Sequence, residues 1–236
     1  MDKEAIRQVI WDRLEAEGLA RFPFPPHGRI PNFVGASEAA THLAELSWWQ
    51  DADRLKCNPD APQRPVRERA LSDGKTVVMP QPRLESDRPF ILIEPAQLNE
   101  PGDGATIGGA AEHGIPVAPE DVPPIDGIIA GSVAVDRNGH RIGKGEGYSD
   151  LEFAILLELG AIDWEVPVAT TVHDRQIIDR QLPSETHDVP LDVVGTPTGT
   201  LLIEDRPARP AGLDGTKLDA ARREMIPVLD GLLDLE

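Results

Sequence analysis

An apolar run followed by a glycine-rich loop and a helix is the feature that most constrains the fold. Residues 128–135 are almost entirely apolar, which predicts a buried strand. Residues 136–139 have the composition of a turn, and an amphipathic pattern over residues 151–159 predicts a helix. Between the turn and the helix lie three alternating glycines, Gly143, Gly145 and Gly147.

A glycine-rich loop before a helix is suited to binding phosphate, because glycines let backbone N–H groups approach closely and the helix N-terminus is electropositive. Lys144 adds a positive charge. The spacing matches neither the P-loop nor the dinucleotide-binding pattern, so the glycines alone favour a tight structural turn. Asp150, at the start of the helix, is a candidate helix cap or a ligand for Mg²⁺ on bound phosphates.

Strand patterns alternate with helix patterns along the chain, which predicts an α/β fold with a mostly parallel sheet and helices on both faces. At 236 residues, we expect one domain over residues 1–236. The predicted strands are 55–57, 76–79, 91–93, 125–135, 166–172, 191–196 and 199–204. The first predicted helix begins after Asp2. The other predicted helices cover residues 35–46, 66–71, 151–159 and 218–229, and the last of these restarts at Pro227.

Two further segments are candidates for function. Ligands of such sheets bind at the carboxyl ends of strands, where we expect the glycine loop and the pair His173 and Asp174. This polar pair is compatible with two interpretations, a ligand-binding site or a hydrogen bond that closes a loop. Residues 94–124 are rich in glycine and proline, which fits a functional loop or a structural meander.

The composition restricts the partners. The chain has 41 acidic and 23 basic residues, a net charge of −18, which disfavours nucleic acids and anionic membranes. The basic residues include only five lysines, a halophile-like balance that favours a high-salt cytoplasm over a merely acidic protein. No apolar stretch is long enough to span a membrane. The histidines lack metal-ligand spacing, and the single cysteine, Cys57, fits the core better than a nucleophile.

The glycine loop and its surroundings resemble the signature of the 5-formyltetrahydrofolate cyclo-ligase (methenyltetrahydrofolate synthetase) family. The matching elements over residues 136–150 are an aspartate and turn, Arg141 and Ile142, the three glycines, Tyr148 and Asp150. Further matches cover residues 172–174 and 185–192, and residues 28–36 and 58–60 are similar to the branch of methenyltetrahydrofolate synthetase domain-containing proteins. The resemblance thus extends along nearly the whole chain.

The resemblance implies a function and a set of site residues. The implied fold is similar to ribose-phosphate isomerase and CoA-transferase, and the implied activity is ATP-dependent cyclisation of 5-formyltetrahydrofolate to 5,10-methenyltetrahydrofolate with Mg²⁺. Arg141 and Lys144 are then catalytic and Asp150 binds the metal. The implied nucleotide-binding residues are Lys3, Arg7, Gly143, Lys144, Gly145, Gly147 and Tyr148. Lys3 and Arg7 share one face of the first helix, which also fits a solvated surface.

Two departures from the family pattern keep a second function open. Ser149 and Leu151 stand where cyclo-ligases have a second tyrosine and an arginine, and residues 62–67 lack the early glutamate that helps to hold folate. The alternative is a non-catalytic or differently specific protein that binds a nucleotide or a phosphorylated metabolite. If folate binds, Asp60 is a candidate acceptor for the pterin N–H groups, and arginines are candidates to clamp the glutamate tail. These arginines are Arg64, Arg67 and Arg83.

Overall fold

The computed structural model describes residues 1–233. The helices are α1 Lys3–Ala16, α2 Ala36–Ala44, α3 Ser47–Asp51, α4 Arg64–Ser72, α5 Pro101–Gly104, α6 Ile107–His113, α7 Tyr148–Glu158, α8 Ala220–Met225 and α9 Val228–Leu233. The strands are β1 Ala20–Arg21, β2 Asn32–Phe33, β3 Arg54–Cys57, β4 Thr76–Pro80, β5 Phe90–Ile93, β6 Ile115–Val117, β7 Gly127–Ala130, β8 Ala134–Asp136, β9 Arg141–Ile142, β10 Val168–Thr171, β11 Ile177–Ile178, β12 Val193–Thr196 and β13 Gly199–Leu202.

In the described part of the chain, eight strands form one sheet in the order β13-β12-β10-β7-β3-β4-β5-β6. The five strands from β12 to β4 are parallel, and β13, β5 and β6 add antiparallel edges. In this register Lys56 of β3 lies between Val78 of β4 and Ile128 of β7. The predicted α/β class with a mostly parallel sheet is therefore confirmed.

The core occupies both faces of this sheet, as a parallel sheet requires. On one face Leu55 packs in a cluster with Leu43 of α2 and Val66 of α4. On the other face Ile128 packs in a cluster that includes residues of α7 and α9. Because both faces are covered, β7 and most of β4 are apolar. In contrast, β3 carries the buried Lys56, and β10 ends in the buried Thr170 and Thr171.

The prediction of a single strand over residues 125–135 is wrong. The chain forms β7 at the centre of the large sheet, leaves it at Gly131, and forms β8 in a separate three-stranded sheet with β9 and β11. Ser132 lies at this change of direction. It is fully buried, and its hydroxyl accepts a hydrogen bond from Thr170 Oγ1 at 2.9 Å, which ties the bend to β10. An unbroken apolar run does not reveal such a bend, since both strands are buried.

Other elements follow the predictions more closely. Asp2 caps α1, because its Oδ1 accepts a hydrogen bond from the Ala5 N–H at 2.8 Å. The C-terminal helical pattern divides into α8 and α9, with Pro227 at the restart as predicted. The short elements α3 and β6 were not predicted. The single domain over residues 1–236 stays a prediction, and its last three residues lie outside the described part.

Cys57 is a core residue, as predicted. It lies in β3 with no exposed surface, and burial raises the pKa of its thiol to about 12. Such a thiol is inert as a nucleophile in the folded protein. None of the helices described over residues 1–233 is long and apolar enough to cross a membrane.

We expect the melting temperature to rise between dilute buffer and about 1 M KCl, where the Debye length is only about 3 Å. The reason is the net charge of −18, whose self-repulsion opposes the compact state until salt screens it. Differential scanning calorimetry over a KCl series measures the effect. A melting temperature that stays constant or falls with salt would contradict the high-salt interpretation.

Candidate active site

A cavity of about 440 Å³ lies at the carboxyl ends of the central strands. One side consists of the residues that follow β3, β4 and β7, namely Asn58 to Asp60, Gln81 to Arg83 and Gly131. The glycine loop and the start of α7 form the other side. Its volume is within the range of about 300 to 1,000 Å³ that is typical of ligand sites. The predicted position of the loop at the carboxyl edge is therefore confirmed.

The β8–β9 hairpin carries the glycine loop to this edge. Asp136 orders the turn, because its Oδ1 accepts hydrogen bonds from the N–H groups of Asn138 at 2.9 Å and His140 at 3.0 Å. The loop follows Ile142 directly, and α7 begins at Tyr148. The loop thus follows β9 of the small sheet, and not a strand of the large sheet.

Two of the glycines have backbone angles that favour glycine. Gly145 has φ +106° and Gly147, which precedes α7, has φ +70°. Side chains with a Cβ rarely adopt these conformations. Asp150 is the third residue of α7 and Gly147 occupies the cap position, so the interpretation of Asp150 as the helix cap is wrong.

Lys144 extends from the loop towards Asp60. Its ammonium lies 2.9 Å from the Glu146 carboxylate and 3.7 Å from Asp60 Oδ1. Burial lowers the pKa of Lys144, but the hydrogen bond to Glu146 and the charge of Asp60 outweigh it, so the pKa is raised. Burial also raises the pKa of Asp60, against the opposing charge of Lys144. The cavity therefore holds a lysine that stays charged opposite an acid that is partly deprived of water.

Arg141 and Asp150 form a buried ion pair beside the loop. Arg141 Nη2 lies 2.5 Å from Asp150 Oδ1, which also accepts the N–H of Val189 at 2.9 Å. The other nitrogens of Arg141 donate to the carbonyls of Gly131 and Val189. Both residues line the cavity. The arginine thus joins the residue after β7, the segment that contains Val189, and α7. Its catalytic role and the metal-binding role of Asp150 stay predictions.

The two basic residues of α1 differ in their surroundings. Arg7 Nε donates to the Gly143 carbonyl at 2.8 Å, so Arg7 lies directly against the glycine loop. Lys3 instead pairs with Asp188 at 2.7 Å and with Glu185 at 3.4 Å. Both partners of Lys3 belong to the stretch 185–192 that the resemblance singled out. The nucleotide contacts of Lys3 and Arg7 stay predictions.

A buried charged cluster at the cavity floor was not predicted. Lys56 is 1% exposed, forms an ion pair with Glu152 of α7, and donates to Asn58 Oδ1 at 2.9 Å. Glu152 and Asn58 line the cavity. Burial raises the pKa of Glu152, and the charge of Lys56 opposes this shift. The sequence did contain a signal for this pair, since Lys56 lies between Leu55 and Cys57 and Glu152 lies between Leu151 and Phe153.

Arg222 was also missed. It reaches the loop from α8, donates to the Glu146 carbonyl at 2.6 Å, and lies with its Cζ 4.5 Å from the centre of the Tyr148 ring. Tyr148 itself lines the cavity. No local pattern in the sequence distinguishes Arg222 from its neighbours, since the contact joins residues 76 positions apart.

The arginines proposed for the folate tail have different surroundings. Arg67 is buried and donates to the backbone carbonyls of Asn58 and Ala105, the latter at 2.8 Å. It therefore supports the β3–α4 connection and does not face the cavity as a clamp. Arg83 lines the cavity, whereas Arg64 is exposed and does not.

The polar pair after β10 closes a loop. Asp174 Oδ1 accepts a hydrogen bond from Thr196 Oγ1 at 2.9 Å, and His173 Nδ1 accepts one from the Arg175 N–H at 3.1 Å. Neither residue lines the main cavity. In contrast, residues 94–124 contribute to the site through α6, since Ile107 and Ala110 form part of the apolar wall.

Metal ligands are not clustered in this site. Within residues 1–233, no group of three or more histidine, cysteine, aspartate or glutamate side chains is arranged to hold a metal ion. An Mg²⁺ ion that is held mainly by phosphate oxygens and water needs only one or two protein carboxylates. Asp150 fits that requirement, because both of its hydrogen bonds in the site go to Oδ1.

The sequence profile of the 5-formyltetrahydrofolate cyclo-ligase family matches residues 2–197, which include the whole glycine loop. The chain belongs to this family. The resemblance stated from the sequence is therefore confirmed. The cyclo-ligase profile ends before the segment that carries Arg222, and the matched residues contain every site residue that the sequence predicted.

Curated relatives of this cyclo-ligase family member include animal and bacterial proteins. It is 40% identical over 242 residues to the mouse methenyltetrahydrofolate synthase domain-containing protein, covering 100% of this chain and 64% of the relative. The human protein of that name is 37% identical over 98% of this chain and 61% of its own length. The 5-formyltetrahydrofolate cyclo-ligase of Mycolicibacterium smegmatis is 34% identical over 71% of this chain and 86% of that protein. The chain thus spans less than two thirds of the length of these animal relatives.

The fold has a solved counterpart. The NMR structure of Aquifex aeolicus 5,10-methenyltetrahydrofolate synthetase matches with a TM-score of 0.55 and 20% identity, covering 92% of this chain and 98% of that one. At this identity the match concerns the fold, which is the α/β fold described above.

Proposed function

We propose that this chain binds Mg-ATP at the glycine loop and uses it to convert 5-formyltetrahydrofolate to 5,10-methenyltetrahydrofolate, releasing ADP and phosphate. The observation that supports this most is that the loop, Lys144 and Asp60 line one cavity in a chain of the cyclo-ligase family. The cavity combines a cationic phosphate side with an apolar wall of Met79 and Ile91. A phosphate donor and a flat heterocycle need such a combination.

The glycine loop supplies the phosphate side. Its backbone N–H groups bind phosphate oxygens, and the N-terminus of α7 adds a favourable dipole. Lys144 is one third exposed, with 34% of its side chain accessible, so a phosphate can replace its carboxylate partners. Arg7 lies against Gly145 and adds charge to the same side. In a protein with a net charge of −18, this local positive charge is what makes a polyanion bind.

The reaction needs positioning and charge neutralisation more than covalent catalysis by the protein. The formyl oxygen attacks the γ-phosphorus of ATP, the bond to the bridging oxygen breaks, and ADP leaves. The folate N10 then attacks the activated formyl carbon and closes the ring. N10 loses its proton, and the carbon–oxygen bond breaks as phosphate leaves. Lys144 neutralises charge that develops on the transferred phosphoryl group, and Arg141 fixes the position of the loop beside it.

Asp150 is the residue that would hold Mg²⁺ on the phosphates, through the carboxylate oxygen that does not bond Arg141. A bound Mg²⁺ neutralises phosphate charge. Asp150 and Arg141 together keep the start of α7 next to the loop.

Asp60 is our candidate for recognising the pterin. It follows β3, lines the cavity, and faces Gly131, where a Cβ would lie 2.9 Å from Asp60 Oδ2. Burial raises its pKa, so a bound N–H donor that replaces lost water stabilises the carboxylate. This acid takes the place of the family glutamate that residues 62–67 lack.

The second candidate function is nucleotide or phosphometabolite binding without folate chemistry. It is favoured by Ser149 and Leu151, which stand where cyclo-ligases have a tyrosine and an arginine. Leu151 is buried in the core cluster and is not available to a ligand. This function uses the same glycine loop, so folate turnover is what distinguishes the two candidates.

We expect the purified protein to form 5,10-methenyltetrahydrofolate from 5-formyltetrahydrofolate only when ATP and Mg²⁺ are present, measured by product absorbance. In Asp60→Ala the KM for the folate should rise by about 10- to 150-fold, as the loss of a hydrogen bond to a charged group predicts. Asp51→Ala, at an exposed aspartate of α3, is the control and should keep the wild-type KM.

The outcomes separate the candidates. Without product from the wild type but with measurable ATP binding, the second function replaces the first. If neither product nor ATP binding is detected, the ligase function is rejected, and only the binding of a phosphorylated metabolite remains of the second candidate. Normal folate KM in Asp60→Ala would remove Asp60 from pterin recognition while leaving the ligase activity in place.

A further inference from the structure

The segment after β13 returns to the glycine loop and is anchored on both sides of the contact. On one side, Arg209 is 4% exposed and donates to the Trp164 carbonyl at 2.6 Å. On the other side, Ile226 and Leu229 are fully buried in the core cluster that contains α7. Helix α8 lies between these anchors. Its position against the loop is therefore fixed by the core and not by α8 alone.

Arg222 is the residue of α8 that touches the loop. Its Nη2 donates to the Glu146 carbonyl at 2.6 Å, and its Cζ lies 4.5 Å from the centre of the Tyr148 ring, within cation–π distance. Its Nη1 lies 3.6 Å from the point where a Cβ would stand on Gly147. Among the residues described, its buried Nε finds no hydrogen-bond acceptor.

Arg7 makes the corresponding contact from α1. Its Nε donates to the Gly143 carbonyl at 2.8 Å, and its Cζ lies 3.3 Å from the Cβ position of Gly145. The two guanidinium groups therefore hold the first and the fourth carbonyl of the loop 143–147. They come from opposite ends of the described chain.

These contacts determine where the loop amides point. In a planar trans peptide the carbonyl and the next N–H point in opposite directions. Because the Gly143 and Glu146 carbonyls face the arginines, the N–H groups of Lys144 and Gly147 face away from them. Loop N–H groups that point away from these contacts can donate to an anion at the helix N-terminus.

We propose that Arg222 is a positioning residue, which holds the glycine loop together with Arg7 so that the amides of Lys144 and Gly147 face a bound phosphate group. Arg222 lies outside residues 2–197, the part that matches the family. The site is thus completed by a segment beyond the family core. The identity of the anion as the phosphates of ATP rests on the proposed function, whereas the positioning role does not.

Hydrogen exchange of the ligand-free protein tests the positioning role directly. In Arg222→Ala we expect the amides of residues 143–148 to exchange about tenfold faster, since one charge-assisted hydrogen bond to the loop is lost. Arg222→Lys retains a donor and should be intermediate. Arg223→Ala is the matched control, because Arg223 is the next residue of α8 and donates to the Gly215 carbonyl instead of the loop. Exchange at residues 143–148 should be unchanged in this control.

ATP binding by the same variants provides the second measurement. We expect Arg222→Ala to raise the Kd about tenfold, and Arg223→Ala to remain within about twofold of the wild type. Wild-type exchange in Arg222→Ala, or faster exchange with unchanged ATP affinity, would overturn the inference. If the wild type binds no ATP, the proposed function fails, and faster loop exchange in Arg222→Ala still supports the positioning role.

Discussion

Replacing Lys56 by methionine is expected to lower the free energy of unfolding by about 3 to 5 kcal/mol, the usual cost of removing one partner of a buried ion pair. Lys56 and Glu152 are 1% and 3% exposed. Without Lys56, the Glu152 carboxylate has no opposite charge in contact within residues 1–233, and it is only 3% exposed. Chemical denaturation, with the slope m checked for two-state behaviour, measures the change.

The sign of the pH dependence follows from the same argument. Burial raises the pKa of Glu152, and loss of Lys56 removes the charge that opposes this shift. A group with a raised folded pKa destabilises the protein progressively as pH rises above its unfolded pKa, which is about 4.3 for glutamate. The loss of unfolding free energy in Lys56→Met should therefore be largest near neutral pH and become smaller as the pH falls towards about 4.3.

Two further variants make the prediction specific. The double variant Lys56→Met with Glu152→Leu should recover most of the loss, because no unpaired charge remains. Lys217→Met, at an exposed lysine, should stay within about 0.5 kcal/mol of the wild type. A double variant less stable than Lys56→Met would show that the two residues act independently.

Gly145→Val is expected to reduce ATP affinity by at least about 100-fold, equivalent to losing several backbone hydrogen bonds to phosphate. Gly145 has φ +106°, and a Cβ there would lie 3.3 Å from the Arg7 guanidinium carbon. A β-branched residue does not adopt this φ, so the loop must change its path and displace Arg7. Isothermal titration calorimetry with Mg-ATP measures the loss.

Gly160→Val is the control for backbone strain. Gly160 has φ +66°, but no atom of the described residues lies within 4 Å of its Cβ position. It lies beyond the other end of α7. Its substitution should cost a comparable amount of stability, about 1 to 3 kcal/mol, and leave ATP affinity unchanged. Wild-type affinity in a folded Gly145→Val protein would remove the loop from nucleotide binding.

The sequence predicted the local parts of the site well. The turn at Asp136, the glycine loop and α7 are each encoded within a few residues, through turn composition, glycine spacing and helical periodicity. The carboxyl-edge position of the loop also follows from the general behaviour of such sheets. These features require no knowledge of which strands are neighbours.

The most consequential errors and omissions concern long-range contacts. The single strand predicted over residues 125–135 fails because the buried Ser132 is held by Thr170, 38 positions away. The pairing of Lys56 with Glu152 spans 96 positions, and Arg222 reaches Glu146 across 76. In each case the sequence contains the residue, but only the packing of the sheet and the C-terminal segment specifies its partner.

The burial of Cys57 gives this protein a built-in reporter of unfolding. As the only cysteine in the chain, and one without exposed surface in a central strand, it reacts with a thiol reagent only when the sheet around it opens. The labelling rate in each variant therefore measures how often that region unfolds under native conditions. Lys56 is its neighbour in β3, so the same thiol monitors the part of the core on which the buried charge pair depends.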